Sequence, residues 1–119
     1  MNKAVIKLSD EELKQIEDHF ESVSYELDIQ AIYQGHIPCI GLVLLDGKID
    51  VKKKNKELAL DPGSLVAVKE LYHSQPFSYD LHIRKSSVVV VLDRTSLDEI
   101  LTSKPKNKIL YNMFKKIIS

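Results

Sequence analysis

The residues of this 119-residue chain able to do chemistry are four histidines, one cysteine and a polar-studded run between Asp61 and Tyr79. The histidines are His19, His36, His73 and His82. None forms a His-x-His pair, and a bound metal needs three or four converging ligands. His36 and Cys39 are close in sequence, but a lone pair of that kind is weak support for a metal site. Cys39 is read as a packed small side chain, since nothing beside it in sequence marks it as a reactive thiol. Asp98 and Glu99 are adjacent, and neighbouring residues on a helix do not face one another. The chain has no Gly-x-Ser-x-Gly elbow, no Walker loop and no dinucleotide fingerprint. No metal, no cofactor and no catalytic residue is therefore expected. What remains is Asp61-Pro62-Gly63-Ser64-Leu65-Val66-Ala67-Val68-Lys69-Glu70-Leu71, running on to Gln75-Pro76-Phe77-Ser78-Tyr79.

The elements that must position this stretch are legible as patterns. Ser9 is an N-cap, and Glu12 completes a capping box. Leu13, Ile16, Phe20 and Val23 follow at helical spacing, which predicts a helix with one buried face. Asp10, Glu11, Glu17, Asp18 and Glu21 form its other face, read as solvated, with an acidic docking surface as the alternative. From about Ser22 to Asp93, short apolar runs alternate with turn signals at Gly35 and Pro38, Asp46-Gly47, Asp61-Pro62-Gly63 and Pro76. That spacing predicts a β-sandwich or barrel. Lys48–Val51 and Leu58–Leu60 are predicted to form a hairpin around Lys52-Lys53-Lys54-Asn55-Lys56. The lysines are read as a solvated turn that discourages edge pairing, with an anion or partner contact as the alternative. The unalternating run Val88–Leu92 predicts a strand covered on both faces.

Thr95 or Ser96 is expected to cap a short helix through Leu101, and Ser103-Lys104-Pro105 to break it. A last helix carries Ile109, Leu110, Met113, Phe114, Ile117 and Ile118 as a broad apolar stripe. Lys106, Lys108, Lys115 and Lys116 lie opposite. This helix is expected to pack on the β-roll. A homodimer contact, a partner-helix interface and a basic amphipathic membrane anchor are the alternatives.

Composition narrows the function classes. The length suits one domain over residues 1–119, standing alone, with a core of its own. Lysine plus arginine equals aspartate plus glutamate at 17 each. Zero net charge argues against nucleic acid as the partner, because duplex binding is driven by phosphate neutralisation. No apolar run approaches the roughly 20 residues of a membrane span. A single cysteine and no apolar leader are the basis for expecting a cytoplasmic setting.

The Asp61–Tyr79 stretch resembles the phosphate-binding cassette of the cyclic-nucleotide-binding domain family. That cassette reads Pro-Gly-Asp, an apolar pair, Gly-Glu-Leu-Ala-Leu, a short loop and Pro-Arg-Ala-Ala. Laid without gaps, its Gly falls on Ala67, its Glu on Val68 and its Arg on Phe77. Leu71, Pro76 and Ser78 match, and Tyr79 takes the second small residue's place. Ser9–Leu13 resembles the family's opening helix, Ile32-Tyr33-Gln34-Gly35 its turn, and Leu42–Val51 its Gly-containing hairpin. Val88–Arg94 with Leu97, Ile100 and Leu101 resembles its last strand and following helix.

The resemblance implies a mainly β fold with flanking helices. It would be a double-stranded β-helix, or jelly roll, with one N-terminal and about two C-terminal helices. It also implies ligand-contacting positions at Gly63, Ala67, Val68, Lys69, Glu70, Phe77, Ser78 and Tyr79, with a cyclic nucleotide as the ligand. In the family the arginine pairs with the cyclic phosphate and the glutamate accepts from the ribose hydroxyl. Phe77 brings neither charge nor donor, and Val68 no acceptor. Two lost charge-assisted hydrogen bonds cost on the order of 3–6 kcal/mol. That is about a hundred- to ten-thousand-fold in affinity. The function expected is a non-enzymatic signalling adaptor that binds a regulatory protein partner, its cyclic-nucleotide response lost or altered. The alternative is a cyclic mono- or dinucleotide sensor with a rebuilt pocket.

Overall fold

The computed structural model describes residues 5–102 and 107–119. In chain order the elements are β1 (Val5–Lys7), α1 (Asp10–His19), β2 (Ser22–Tyr25), β3 (Ile29–Ile32), β4 (Gly41–Asp46), β5 (Ile49–Lys53), β6 (Lys56–Leu60) and β7 (Ser64–Val66). They continue with α2 (Val68–His73), β8 (Asp80–Ile83), β9 (Ser87–Leu92), α3 (Arg94–Thr102) and α4 (Lys108–Ile118). One antiparallel sheet has the order β1-β7-β4-β9-β2, the other β3-β8-β5-β6.

The period-two geometry of a strand explains the layering. Along β4, Leu42 and Leu44 enter the space between the sheets, while Val43 faces the helices. Along β9, Val89 and Val91 face inward, and Val90 and Leu92 face the helices. The inner core adds Ile32, Ile49, Val51, Val66, Phe77, Leu81 and Ile83. The outer core joins Leu65, Val68 and Leu71 to Ile16, Leu97, Leu110, Met113, Phe114 and Ile117 of the helices. The order is thus sheet, sheet, helices. The Val88–Leu92 run is unalternating because β9 lies between β4 and β2 with a core on each face.

Most predicted elements are present, with several corrections. The capping box forms: the Glu12 amide donates to Ser9 Oγ at 3.1 Å, and the Ser9 amide to Glu12 Oε1 at 2.9 Å. The helix, however, stops at His19 with Phe20 as C-cap. Val23 lies in β2 and is 42% exposed, so it is not part of the helical face. Cys39 is exposed rather than packed, because it follows buried Pro38 in a surface loop. Leu42–Val51 is not a hairpin. β4 and β5 lie in different sheets, and Gly47 marks the crossing. The β5–β6 hairpin does form, and its strands run into the lysine cluster, leaving only Lys54-Asn55 as the turn.

α3 is capped by neither Thr95 nor Ser96. The Ser96 amide donates to Asp93 Oδ1 at 2.8 Å, and the Leu97 amide to the Asp93 carbonyl at 3.2 Å. The Ser96 amide also holds the Asp93 carboxyl below its ordinary range. A carboxyl whose folded pKa is depressed stabilises fully above its unfolded value, and that contribution is lost as pH falls through the folded one. Asp93→Ala should cost about 1 kcal/mol at neutral pH. Urea midpoints measured down the acid limb should show this difference vanishing at the lowest pH. The expected break at Ser103-Lys104-Pro105, and Lys106, fall outside the described residues.

α4 packs where the stripe requires. Leu110, Met113, Phe114 and Ile117 are buried in the outer core, while Lys108, Lys115 and Lys116 are exposed. Burying each such apolar side chain contributes about 1.5–3 kcal/mol. The apolar face that a dimer, a partner helix or a membrane would have used is therefore covered within the chain. Among the described residues, no helix is long and apolar enough to cross a membrane.

Candidate functional site

Within the cassette, the turn into α2 begins where β7 ends. Ala67 follows Val66 with φ 69° and ψ 3°, in the left-handed region, and acts as N-cap of α2 without a side-chain hydrogen bond. Glycine enters this conformation freely, whereas alanine bears a steric cost of about 1–2 kcal/mol. The resemblance places the family's glycine at this residue, so the backbone shape persists under a different side chain. α2 closes at Ser74, also left-handed, and the Gln75 amide donates to the Glu70 carbonyl at 2.9 Å. The chain then turns at Pro76 and re-enters the roll with Phe77.

Phe77 is 0% exposed and belongs to the inner core. Its backbone is strapped to the loop after β3: the Phe77 amide donates to the His36 carbonyl at 2.9 Å, and the Gly35 amide to the Phe77 carbonyl at 2.8 Å. Its ring meets Tyr79 edge-on, with centroids 5.8 Å apart. Val68 points the other way, into the outer core. A Cβ built on Gly41 would lie 2.6 Å from Val68 Cγ2, so the two elements meet here without room for another atom.

The remaining predicted positions scatter. Lys69 and Ser78 are exposed, and Glu70 is half-buried on α2. Gly63 lies at the turn before β7, hydrogen-bonded to Leu44 and Leu8 and close to the Lys7 side chain. Ala67 and Phe77 share the inner core, with Tyr79 packed against it. Arg84 offers no substitute cation, because it makes a two-pronged bond to Asp50, at 2.6 Å for both Nε and Nη2. That carboxylate makes its guanidinium harder still to deprotonate. Among the described residues, no group of three histidine, cysteine or acidic side chains converges as metal ligands would.

Two features escaped the sequence. Arg94, the first residue of α3, reaches back to the end of α2. It donates to the Tyr72 carbonyl at 3.0 Å and to Ser74 Oγ at 3.2 Å, and lies 5.8 Å from the Tyr72 ring centroid. It ties the cassette helix to the C-terminal helices, and no local pattern announces a contact of that span. The other is a cleft of about 470 Å³ lined by Lys53, Lys54, Asn55, Lys56 and Tyr79. The lysines were visible in the sequence, but their meeting with Tyr79 depends on the fold.

No family model and no curated protein matches the sequence. Solved structures do match. One, from work described as "A cyclic-GMP-dependent signalling pathway regulates bacterial phytopathogenesis", superposes with a TM-score of 0.71 at 14% identity, covering 94% of this chain and 95% of that one. PKAR CBD2 with Sp-2Cl-cAMPS bound gives 0.62 at 23% identity, covering 91% and 81%. The catabolite activator protein of Thermus thermophilus gives 0.57 at 20%, covering 75% of this chain and 45% of that one. At such identities the likeness concerns fold. With two facing antiparallel sheets, a short helix in the cassette and helices laid on one sheet, this chain has the fold of cyclic-nucleotide-binding domains.

Proposed function

We propose that this protein is a non-enzymatic regulatory adaptor of the cyclic-nucleotide-binding fold, which acts through a protein partner and has lost or altered its response to cyclic nucleotides. The observation that carries the reading is Phe77, fully buried at the position where the resemblance implies a phosphate-binding arginine. Val68 supports it, since its side chain packs on Gly41 in the outer core and does not reach toward a ligand. A phosphate removed from water needs a fixed cation, and an apolar interior offers it nothing. The partner's docking surface is the acidic face of α1. Asp10, Glu11, Glu17 and Asp18 are exposed there, while Ile16 on the opposite side anchors the helix; Glu21 falls past the end of α1 and is not part of this face.

Calorimetric titration with cyclic AMP and cyclic GMP should show no binding tighter than about millimolar, as the loss of two charge-assisted bonds requires. Native capture should retain a partner that the Glu17→Lys/Asp18→Lys variant loses. Micromolar cyclic AMP binding would sink the lost-response half of the reading. Capture of nothing but this chain would sink the adaptor half.

A further inference from the structure

The lysine cluster at the β5–β6 turn carries two local costs that a plain solvated turn has no need to bear. Lys53 and Lys56 stand directly opposite one another in the hairpin register. Like charges so placed repel. Lys54 sits at φ 54°, in the left-handed region that turns of this length fill with glycine or asparagine. Asparagine is present, but one position later, at Asn55. Strain retained by a non-glycine residue is the kind of outlier that points to function.

The surroundings do not neutralise these charges. Among the described residues, no carboxylate forms an ion pair with Lys53, Lys54 or Lys56. The nearest acidic residues by register, Glu57 and Asp80, both stand opposite Lys52. Asp80 already accepts from Gln30 Nε2 at 3.1 Å and from the Gln34 amide at 2.8 Å. On the lysines' own side stands Tyr79, its ring centroid 5.7 Å from Lys53 Nζ and its inner edge resting on Phe77. The cleft they enclose, about 470 Å³, is within the usual size of a small-molecule site.

We propose that this cleft binds a small polyphosphate anion, free or carried on a nucleoside, at the hairpin rather than at the α2 cassette. Three ammonium groups suit several negative charges close together, because each is a compact point charge with rotatable donors. A singly charged ligand would leave two of them still repelling. The Tyr79 hydroxyl adds a neutral donor. The proposal stands apart from the adaptor reading, which rests on Phe77 and Val68; neither lines this cleft, and Tyr79 is the one cassette position that does.

Thermal unfolding at low salt, with sodium tripolyphosphate, ATP or GTP at millimolar concentration, tests it. Sodium sulfate at equal ionic strength is the control. Binding to the folded state should raise the midpoint by several degrees, and sulfate should not. Calorimetry should show at least ten-fold weaker binding in Lys53→Ser/Lys56→Ser. Lys54→Gly should raise the midpoint of the free protein and still weaken binding. A response to ATP and GTP but not tripolyphosphate assigns the nucleoside form, and a response to tripolyphosphate assigns the phosphates themselves. No response to any of them overturns the proposal. So does a response matched by sulfate, or one undiminished in the double variant.

Discussion

Phe77→Ala is expected to lower the free energy of unfolding by about 3–5 kcal/mol, the cost of deleting a large side chain from a packed core. The ring is 0% exposed and is surrounded by the inner-core residues of both sheets. Its removal opens a cavity and strips Tyr79 of its edge-on partner. The strapping of residue 77 to Gly35 and His36 is through backbone atoms and survives the change, so the site cannot collapse freely. Urea unfolding with an unchanged slope and a lowered midpoint is the signature. A loss under about 1.5 kcal/mol, as for a tolerated core swap, would mean that Phe77 lines open space. The cassette would then be open rather than filled.

Gly47→Ala should be nearly as damaging, at about 2–5 kcal/mol, the sum of left-handed strain and overpacking. Gly47 has φ +92°, and a Cβ there would meet Ser87 Oγ at 2.4 Å and Ser87 Cα at 2.7 Å. The close approach has a purpose. The Lys48 amide donates to Ser87 Oγ, and that hydroxyl donates to the Lys48 carbonyl, both at 3.1 Å. This clasp holds the crossing from β4 in one sheet to β5 in the other. Gly35→Ala provides the comparison: φ +86° with no atom within 4 Å of the new Cβ. It should cost only the strain, about 1–2 kcal/mol. The difference between the two midpoints isolates the clash, and equal midpoints would refute it.

Local signals carried the fold far. The Ser9–Glu12 box located α1, turn residues separated the strands, and the apolar stripe of α4 announced a buried helix. The errors share one cause. Val23 matched a helical period that the chain leaves at Phe20, because β2 gains a whole ladder with β9. Leu42–Val51 read as a hairpin because a turn flanked by apolar runs looks the same whether the strands pair with each other or with distant partners. Asp93 caps α3 in place of Thr95 and Ser96, near neighbours with the same capping chemistry, so local sequence alone does not choose among the three.

The site divides in the same way. Sequence alone determined that the cassette spacing is kept, and that alanine, valine and phenylalanine stand where the family's glycine, glutamate and arginine belong. Side-chain identity is a local property, and it limits what a pocket can bind before any fold is known. Only the tertiary structure decided where those side chains go. Ala67 keeps a left-handed backbone, Val68 turns to the helices, and Phe77 fills the roll. The same is true of Tyr79, which meets lysines more than twenty positions away at the β5–β6 turn. Burial and convergence depend on the register of two sheets, and register arises from contacts between residues far apart in the chain.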